Sequence, residues 1–262
     1  MNSEIKTAPP PTSKTQREWE DLAHLDPLWA ILSDRRMQFG HWDQQEFFAA
    51  GEREITTLMN SRGISRGNNG RVLDFGCGVG RLSRALLDYF HEVYGVDISA
   101  EMVRLAKAYT PDCIFLVNPR NDLSVFADDF FDFVYSNIVL QHQRNKEIAK
   151  SYIAEFVRVV KPGGTVVFQM PYKVSLRDAL QPRRRVYSLL KGIGVSGEFL
   201  YHRLHLNPMR TISLSAADVT AALSASGGRL VQSHPDNFNH NSMTYVVTKG
   251  ASSEPHPATK NG

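Results

Sequence analysis

The sequence predicts an α/β domain built on a doubly wound, mostly parallel sheet with a crevice at the strand C-termini. Three observations predict it. From Arg71 to Gln169, short apolar segments of strand length alternate with segments of helical period. A glycine-rich turn, Gly76-Cys-Gly-Val-Gly80, joins the first of these strands to the first of these helices. The chain has 262 residues, 42% hydrophobic and 22% charged, which suits one globular domain with a small appended lobe. Strands separated by helices pair in parallel, because each crossover returns the chain to the same end of the sheet.

The elements follow in order. Residues 1–15 and 250–262 are rich in Pro, Ser, Thr and Lys and read as disordered tails. Residues 16–60 read as an N-terminal helical lid, interrupted at Asp26-Pro27 and at Gly40-His41. Its last helix starts at Asp43 with Glu46 three residues on, a capping arrangement, and sets Phe47, Phe48, Ile55 and Met59 at helical spacing for packing. Residues 61–170 read as the α/β core. Strands are expected over Arg71–Phe75, Glu92–Val96, Cys113–Val117, Phe131–Ser136 and Thr165–Gln169. Helices are expected over Arg81–Phe90, Ser99–Tyr109 and Lys146–Val160, the last stopped by Lys161-Pro-Gly-Gly164. Residues 171–213 break the rhythm and are too long for an ordinary loop, so they read as an acceptor-binding cap inserted over the crevice. Residues 214–249 return to the core with a helix from Ser215 and two strands, Arg229–Ser233 and Met243–Thr248. With no crossover helix between those two, at least one runs antiparallel.

Composition narrows the function. Two cysteines, Cys77 and Cys113, cannot build a disulfide framework, which points to a reducing, cytoplasmic setting. No apolar run approaches the ~20 residues of a membrane helix, and the first fifteen residues lack the apolar stretch of a secretory signal. A net charge of +3 does not call for nucleic acid. The charge is uneven, however: residues 173–210 hold eight Lys/Arg against two Asp/Glu, a local +6, leaving about −3 for the rest.

The glycine turn follows a strand and opens a helix, so its backbone can approach a ligand that a β-carbon would block. Asp97 ends the second strand, placed to accept hydrogen bonds from both hydroxyls of a ribose. A dinucleotide fingerprint is incomplete, since Arg81 stands where a third glycine would fall, and Asp74 before the turn would repel a pyrophosphate but attract an ammonium or sulfonium. No G-K-[ST] follows, which excludes a Walker loop.

These residues, with Val93–Ser99 and Met102, Asn121-Asp122-Leu123, Phe131–Ser136 and Val160–Thr165, resemble a class I S-adenosylmethionine-dependent methyltransferase of the small-molecule type across roughly residues 71–170. The resemblance implies a Rossmann-like seven-stranded sheet with the last strand antiparallel, S-adenosyl-L-methionine as cofactor, and methyl transfer by in-line displacement. It places the methionine part against Asp74 and the turn Gly76, Cys77, Gly78, Gly80 and Arg81. It places the ribose on Asp97, the adenine between Ile98 and Met102, and the adenine edge against Asn121, Asp122 and Leu123, with Asn137 completing the cofactor site. The segment Asn118–Asp122 departs from the usual Gly-Asp-Ala.

On the acceptor side, His142 follows the fourth strand and titrates near neutrality, so it either takes a hydroxyl proton or packs beside the strand. His202 and His205 gain no acid or Cys cluster for a metal, and His41 and Asp43 around Trp42 either close over the cofactor or pack. The fourth-strand segment Ser136-Asn-Ile-Val lacks the Asn/Asp-Pro-Pro-Tyr/Phe of nucleobase amino-methylation. The reading is therefore methyl transfer to a small-molecule hydroxyl, on a sugar, lipid-linked or aromatic acceptor, with an anionic or lipid-linked molecule as the expected partner. The acceptor side involves no nucleic acid and no integral membrane contact. The alternatives are transfer to an amine or protein side chain, and a non-catalytic cofactor-binding scaffold.

Overall fold

The computed structural model describes residues 13–175, 179–236 and 241–250. The expected tails lie mostly outside these residues, and the first needs a correction at its end. Helix α1 spans Lys14–Leu25, and the Ser13 hydroxyl accepts the Gln16 N–H as its cap. Serine at this position satisfies an N–H that has no partner inside the helix. Asp26 then ends α1 and leads into α2, Pro27–Ile31, with proline at the first helical position, where its missing N–H costs nothing. Helix α3, Gln44–Arg62, starts at Asp43 as expected, the carboxylate accepting the Glu46 N–H.

The core runs β1 (Asn68–Phe75), α4 (Arg81–Leu86), β2 (Phe90–Asp97), α5 (Ala100–Tyr109), β3 (Ile114–Val117), β4 (Phe131–Ser136), α6 (Lys146–Val159) and β5 (Val160–Pro171). The cap carries α7 (Pro182–Gly192) and α8 (Gly197–His202), and the chain returns through α9 (Ala216–Ala225), β6 (Gly228–Pro235) and β7 (Ser242–Lys249). Helix α4 ends four residues earlier than expected. Phe90 is taken by β2, where it pairs with Asn68, and sheet pairing overrides the helical period of that stretch.

Seven strands form one sheet in the order β3-β2-β1-β4-β5-β7-β6. The first five pair in parallel, and β7 runs antiparallel to both β5 and β6. This is the Rossmann-like arrangement with the last strand reversed. Residues alternate between its faces. Leu73 and Phe75 join Phe156 and Leu223 on the α6/α9 side, whereas Val72 joins Ile55, Met59 and Leu86 on the α3/α4 side. Phe47 and Phe48 pack instead against Leu22, Val79 and Met102, so α1 and α3 are held over the edge of the crevice.

The cap has its own small core of Tyr187, Leu200 and Leu206 and is tied to the N-terminal helices by buried carboxylates. Asp26 accepts the N–H groups of Phe39 (2.7 Å) and Gly40 (3.0 Å) and the Tyr201 hydroxyl (2.8 Å). Glu18 accepts Arg184 at 2.6 Å and Arg210 at 3.1 Å. Burial and the Asp26 carboxylate together push the Tyr201 phenol well up, so it stays a donor. Asp26→Ala strands three donors, the buried Tyr201 hydroxyl and the less buried N–H groups of Phe39 and Gly40, and is expected to cost about 2–4 kcal/mol of unfolding free energy, whereas Tyr201→Phe costs about 1 kcal/mol. Urea titration followed by tryptophan fluorescence checks the ranking; equal costs would contradict the three-donor account.

Candidate active site

The cleft opens at the C-terminal ends of β1, β2 and β4, where the strand order reverses between β1 and β4. Its floor is Phe75, Gly76 and Gly78 after β1, Val96, Asp97 and Ile98 at the end of β2, and Asn137, Ile138 and Val139 after β4. Met102 of α5 and Tyr152 of α6 form the sides; Trp19 of α1 and Ile31 of α2 lie across from them. With its mouth included the free space is about 1300 Å³.

The glycine turn is pinned to β2. Gly76 and Cys77 both donate their N–H to the Val96 carbonyl, at 2.8 and 3.0 Å. Gly78 donates to Asp97 Oδ2 at 2.9 Å, and Ser99 N–H donates to Oδ1 at 2.9 Å. The turn needs left-handed backbone at Gly76 (φ +75°) and Gly78 (φ +53°). A β-carbon would meet Val139 at the first and Ile31 at the second, each within 2.4 Å. The carboxylate of Asp97 therefore faces the cleft with one fixed donor on each oxygen and lone pairs to spare. Burial pushes its pKa up to about 6, the backbone donors of Ser99, Gly78 and Ile98 opposing the shift.

Glu20 of α1 fastens the helix behind this acid. It accepts the Ser99 hydroxyl at 2.5 Å and the Glu101 N–H at 3.1 Å. On the far side Glu54 of α3 accepts Asn137 Nδ2 (2.7 Å), the Tyr135 hydroxyl (2.9 Å) and Arg81 (2.9 Å). Asn137 thus keeps its carbonyl oxygen for the cleft. Ile138 beside it holds φ +61°, a strained conformation for a β-branched residue.

His142 ends a short 3-10 turn, Leu140–His142, and lines the cleft with Arg144 and Arg210. Its Nδ1 lies 2.5 Å from the Arg210 carbonyl. A carbonyl only accepts, so Nδ1 carries the proton and Nε2 the lone pair. Gln141 Nε2 donates to that lone pair at 3.2 Å, and Trp19 meets the ring edge-on at 5.4 Å. Burial lowers the His142 pKa below its ordinary 6.5, so the ring is neutral at pH 7.

Residues 73–168 match the family model described as a methyltransferase domain. Those residues therefore form a methyltransferase domain. Over 100 residues it is 41% identical to 2-methyl-6-phytyl-1,4-hydroquinone methyltransferase of Synechocystis, covering 37% of this chain and 30% of that protein. Over 153 residues it is 29% identical to malonyl-[acyl-carrier protein] O-methyltransferase of Pectobacterium atrosepticum, covering 58% and 55%. The chain thus spans between about a third and just over half of these two relatives. The fold is shared with magnesium protoporphyrin IX methyltransferase of Synechocystis, solved with bound S-adenosylhomocysteine, at TM-score 0.57 and 19% identity over 90% of this chain and all of that one.

S-adenosylmethionine is the cofactor of such a domain, and the cleft of this methyltransferase domain fits it. Gly76 and Gly78 line the cleft where side chains would collide with Val139 and Ile31, Asp97 offers two oxygens, and Val96, Ile98 and Met102 supply an apolar wall beside it. Of the residues expected to bind it, Gly76, Gly78, Asp97, Ile98, Met102, Asn121 and Asn137 line the cleft together with His142.

Six others do not. Asp74 is buried beneath the turn, accepting the Ser83 hydroxyl at 2.6 Å, and burial pushes its pKa up to about 6. The alternation of β1 turns it to the α4 side, away from the cleft that Phe75 faces. Arg81 is buried in its ion pair with Glu54, Gly80 begins α4, and Cys77 is buried in the core behind the turn. Asp122 accepts Ser124 at the surface, and Leu123 is buried in the core with its N–H on Glu155. Trp42 and Asp43 are likewise spent elsewhere, the indole donating to Leu32 and the carboxylate capping α3, while His202 and His205 pack on Phe39. Missed in the sequence were Trp19, Asn118, Tyr152, Arg144 and Arg210. Only Asn118, inside the segment that departs from the family pattern, carried a local signal.

Asp97→Ala is expected to weaken S-adenosylhomocysteine binding by about 1.5–3 kcal/mol, the scale of hydrogen bonds to a charged group. The sign of the pH dependence follows from the raised pKa. The carboxylate is ionised above pH about 6 and accepts fully there, so affinity holds above that value and weakens as pH falls through it. Calorimetry from pH 5 to 8 checks both, with Asp97→Asn expected to lose the pH response.

Proposed function

We propose that the chain transfers a methyl group from S-adenosylmethionine to a hydroxyl of a small-molecule acceptor, with His142 as the general base. The observation that carries the reading is the tautomer of His142, whose Nδ1 donates to the Arg210 carbonyl and leaves Nε2 as a lone-pair nitrogen in the cleft wall. An alcohol attacks well only as its proton leaves, and a neutral imidazole at that position accepts it. When bound, the cofactor supplies an electrophilic methyl group. Asp97 and the Gly76–Gly78 backbone hold it from below, Asn137 presents its carbonyl oxygen, and Trp19 and Ile31 exclude water from above. The name of the Pectobacterium relative, an O-methyltransferase, supports the choice of oxygen.

Lys14 and Arg144 bring positive charge to the cleft, where Arg210 is paired with Glu18, which supports an acceptor with an anionic group, sugar, lipid-linked or aromatic in its body. Of the basic residues of the cap, Arg183 and Arg184 are engaged elsewhere. Arg183 donates to the His205 carbonyl, and Arg184 donates to the Pro208 carbonyl and Glu18. Two free, buried cysteines and no described helix long and apolar enough to cross a membrane support a cytoplasmic setting. A second reading rests on the Gln141 amide, which already occupies the Nε2 lone pair. It makes His142 a positioning residue and the acceptor an amine that arrives deprotonated.

His142→Ala is expected to lower kcat about 10²–10⁴-fold at unchanged S-adenosylhomocysteine affinity, with His142→Gln nearly as inactive. At saturating cofactor, kcat/KM for the acceptor is expected to rise through an apparent pKa below 6.5. Burial favours the neutral base, and protonation removes its lone pair only at lower pH. A panel of hydroxylated acceptors read by mass spectrometry supplies the substrate. An active, pH-insensitive His142→Gln enzyme gives the amine reading.

A further inference from the structure

The outer face of α7 carries a row of apolar side chains that the fold does not cover. Val186, Leu189 and Ile193 are 46%, 68% and 72% exposed, and their spacing of three and four residues sets them in one stripe along the helix. The opposite face is the packed one. Tyr187 is buried in the cap core with Leu190 against it, Arg184 reaches Glu18, and Lys191 reaches Asp21 at 3.2 Å. Arg183 and Arg185 stand on either flank of the stripe and are exposed. The next helix adds exposed Phe199, and the segment as a whole holds the local +6 in a chain otherwise near −3.

The geometry points to a peripheral membrane contact, in which the α7 stripe lies in the surface of a bilayer that carries anionic lipid. A helix with a narrow apolar stripe and arginines on its flanks suits an interface, where the stripe enters the acyl boundary and the guanidinium groups stay at the headgroups. Glu18 and Asp21 already pair with Arg184, Arg210 and Lys191, so the charge that anionic headgroups meet is that of the exposed Arg183 and Arg185, and neutral lipid alone does not attract it. A second copy of this chain is a poorer occupant. A two-fold contact along the stripe sets arginine flanks against arginine flanks, and like charges brought together repel. Arg184 and Arg210 share Glu18, and Arg210 lines the cleft, so α7 is joined through buried ion pairs to the wall of the active site. The contact stands apart from the acceptor chemistry proposed above, and its test reads no methyl transfer.

The test is flotation of the full chain with vesicles of phosphatidylcholine alone and of phosphatidylcholine with about one part in three of phosphatidylglycerol. The chain is expected to rise with the anionic vesicles and to be released as salt is raised. Leu189→Asp combined with Ile193→Asp is expected to lower that partition at least about tenfold, and Arg185→Glu to lower it less and to flatten its salt response. Unchanged calorimetric affinity for S-adenosylhomocysteine shows that both variants remain folded. Recovery of the wild-type chain with neither vesicle overturns the proposal, as does a double aspartate variant that floats as well as wild type. Sedimentation equilibrium adds a third decisive outcome: a wild-type dimer that the double variant turns into a monomer assigns the stripe to a second copy instead.

Discussion

The parallel register of β1 on β2 is the constraint on which the site depends. Phe75 pairs with Val96, so the turn that leaves β1 and the acid that ends β2 emerge side by side. Two residues distant in sequence then become hydrogen-bonded neighbours, the Gly78 N–H on the Asp97 carboxylate. A slip of one residue would turn Asp97 to the opposite face of the sheet and leave the turn without its anchor. The burial of Leu73 and Phe75 on one face and Val72 on the other fixes that register energetically.

Around this frame, three carboxylates assemble the parts that the sheet does not hold. Glu18 joins α1 to the cap, Asp26 joins the end of α1 to Phe39, Gly40 and Tyr201, and Glu54 joins α3 to α4 and β4. Each accepts donors from at least two separate elements. A buried charge without partners is costly, so each carboxylate favours only the arrangement in which all its donors arrive. The roof of the cleft is therefore specified by polar geometry, whereas its floor is specified by apolar packing.

The same division explains what could be read in the chain. Strand and helix periods, the glycine turn and Asp97 are local patterns, and they survived folding with small shifts at the ends. Asp74 lies off the cleft lining because adjacency to the turn says nothing about which face of β1 a side chain takes, and that face is set by α4 packing through Ser83. Asp122 and Leu123 lie off the cleft lining for a related reason: Glu155 of α6 claims the Leu123 N–H and turns these two residues away from it. Trp19 and Arg210 had no local signal at all, since each reaches His142 only through the folded chain. The helical start at Lys14 was legible in retrospect, from Ser13 with Gln16 behind it.

That start has a kinetic consequence. Ser13, Lys14 and Thr15 form part of the cleft lining, so one edge of the opening is the first turn of a helix. A terminal turn opens at far lower free energy than the body of a helix, and here the Ser13 hydroxyl on the Gln16 N–H and the Ser13 carbonyl on the Arg17 N–H help to close it. A ligand leaving past that edge waits on the fraying of one turn, not on the displacement of a domain. The helix-capping preference of residue 13 therefore bears on how readily this edge of the cleft opens.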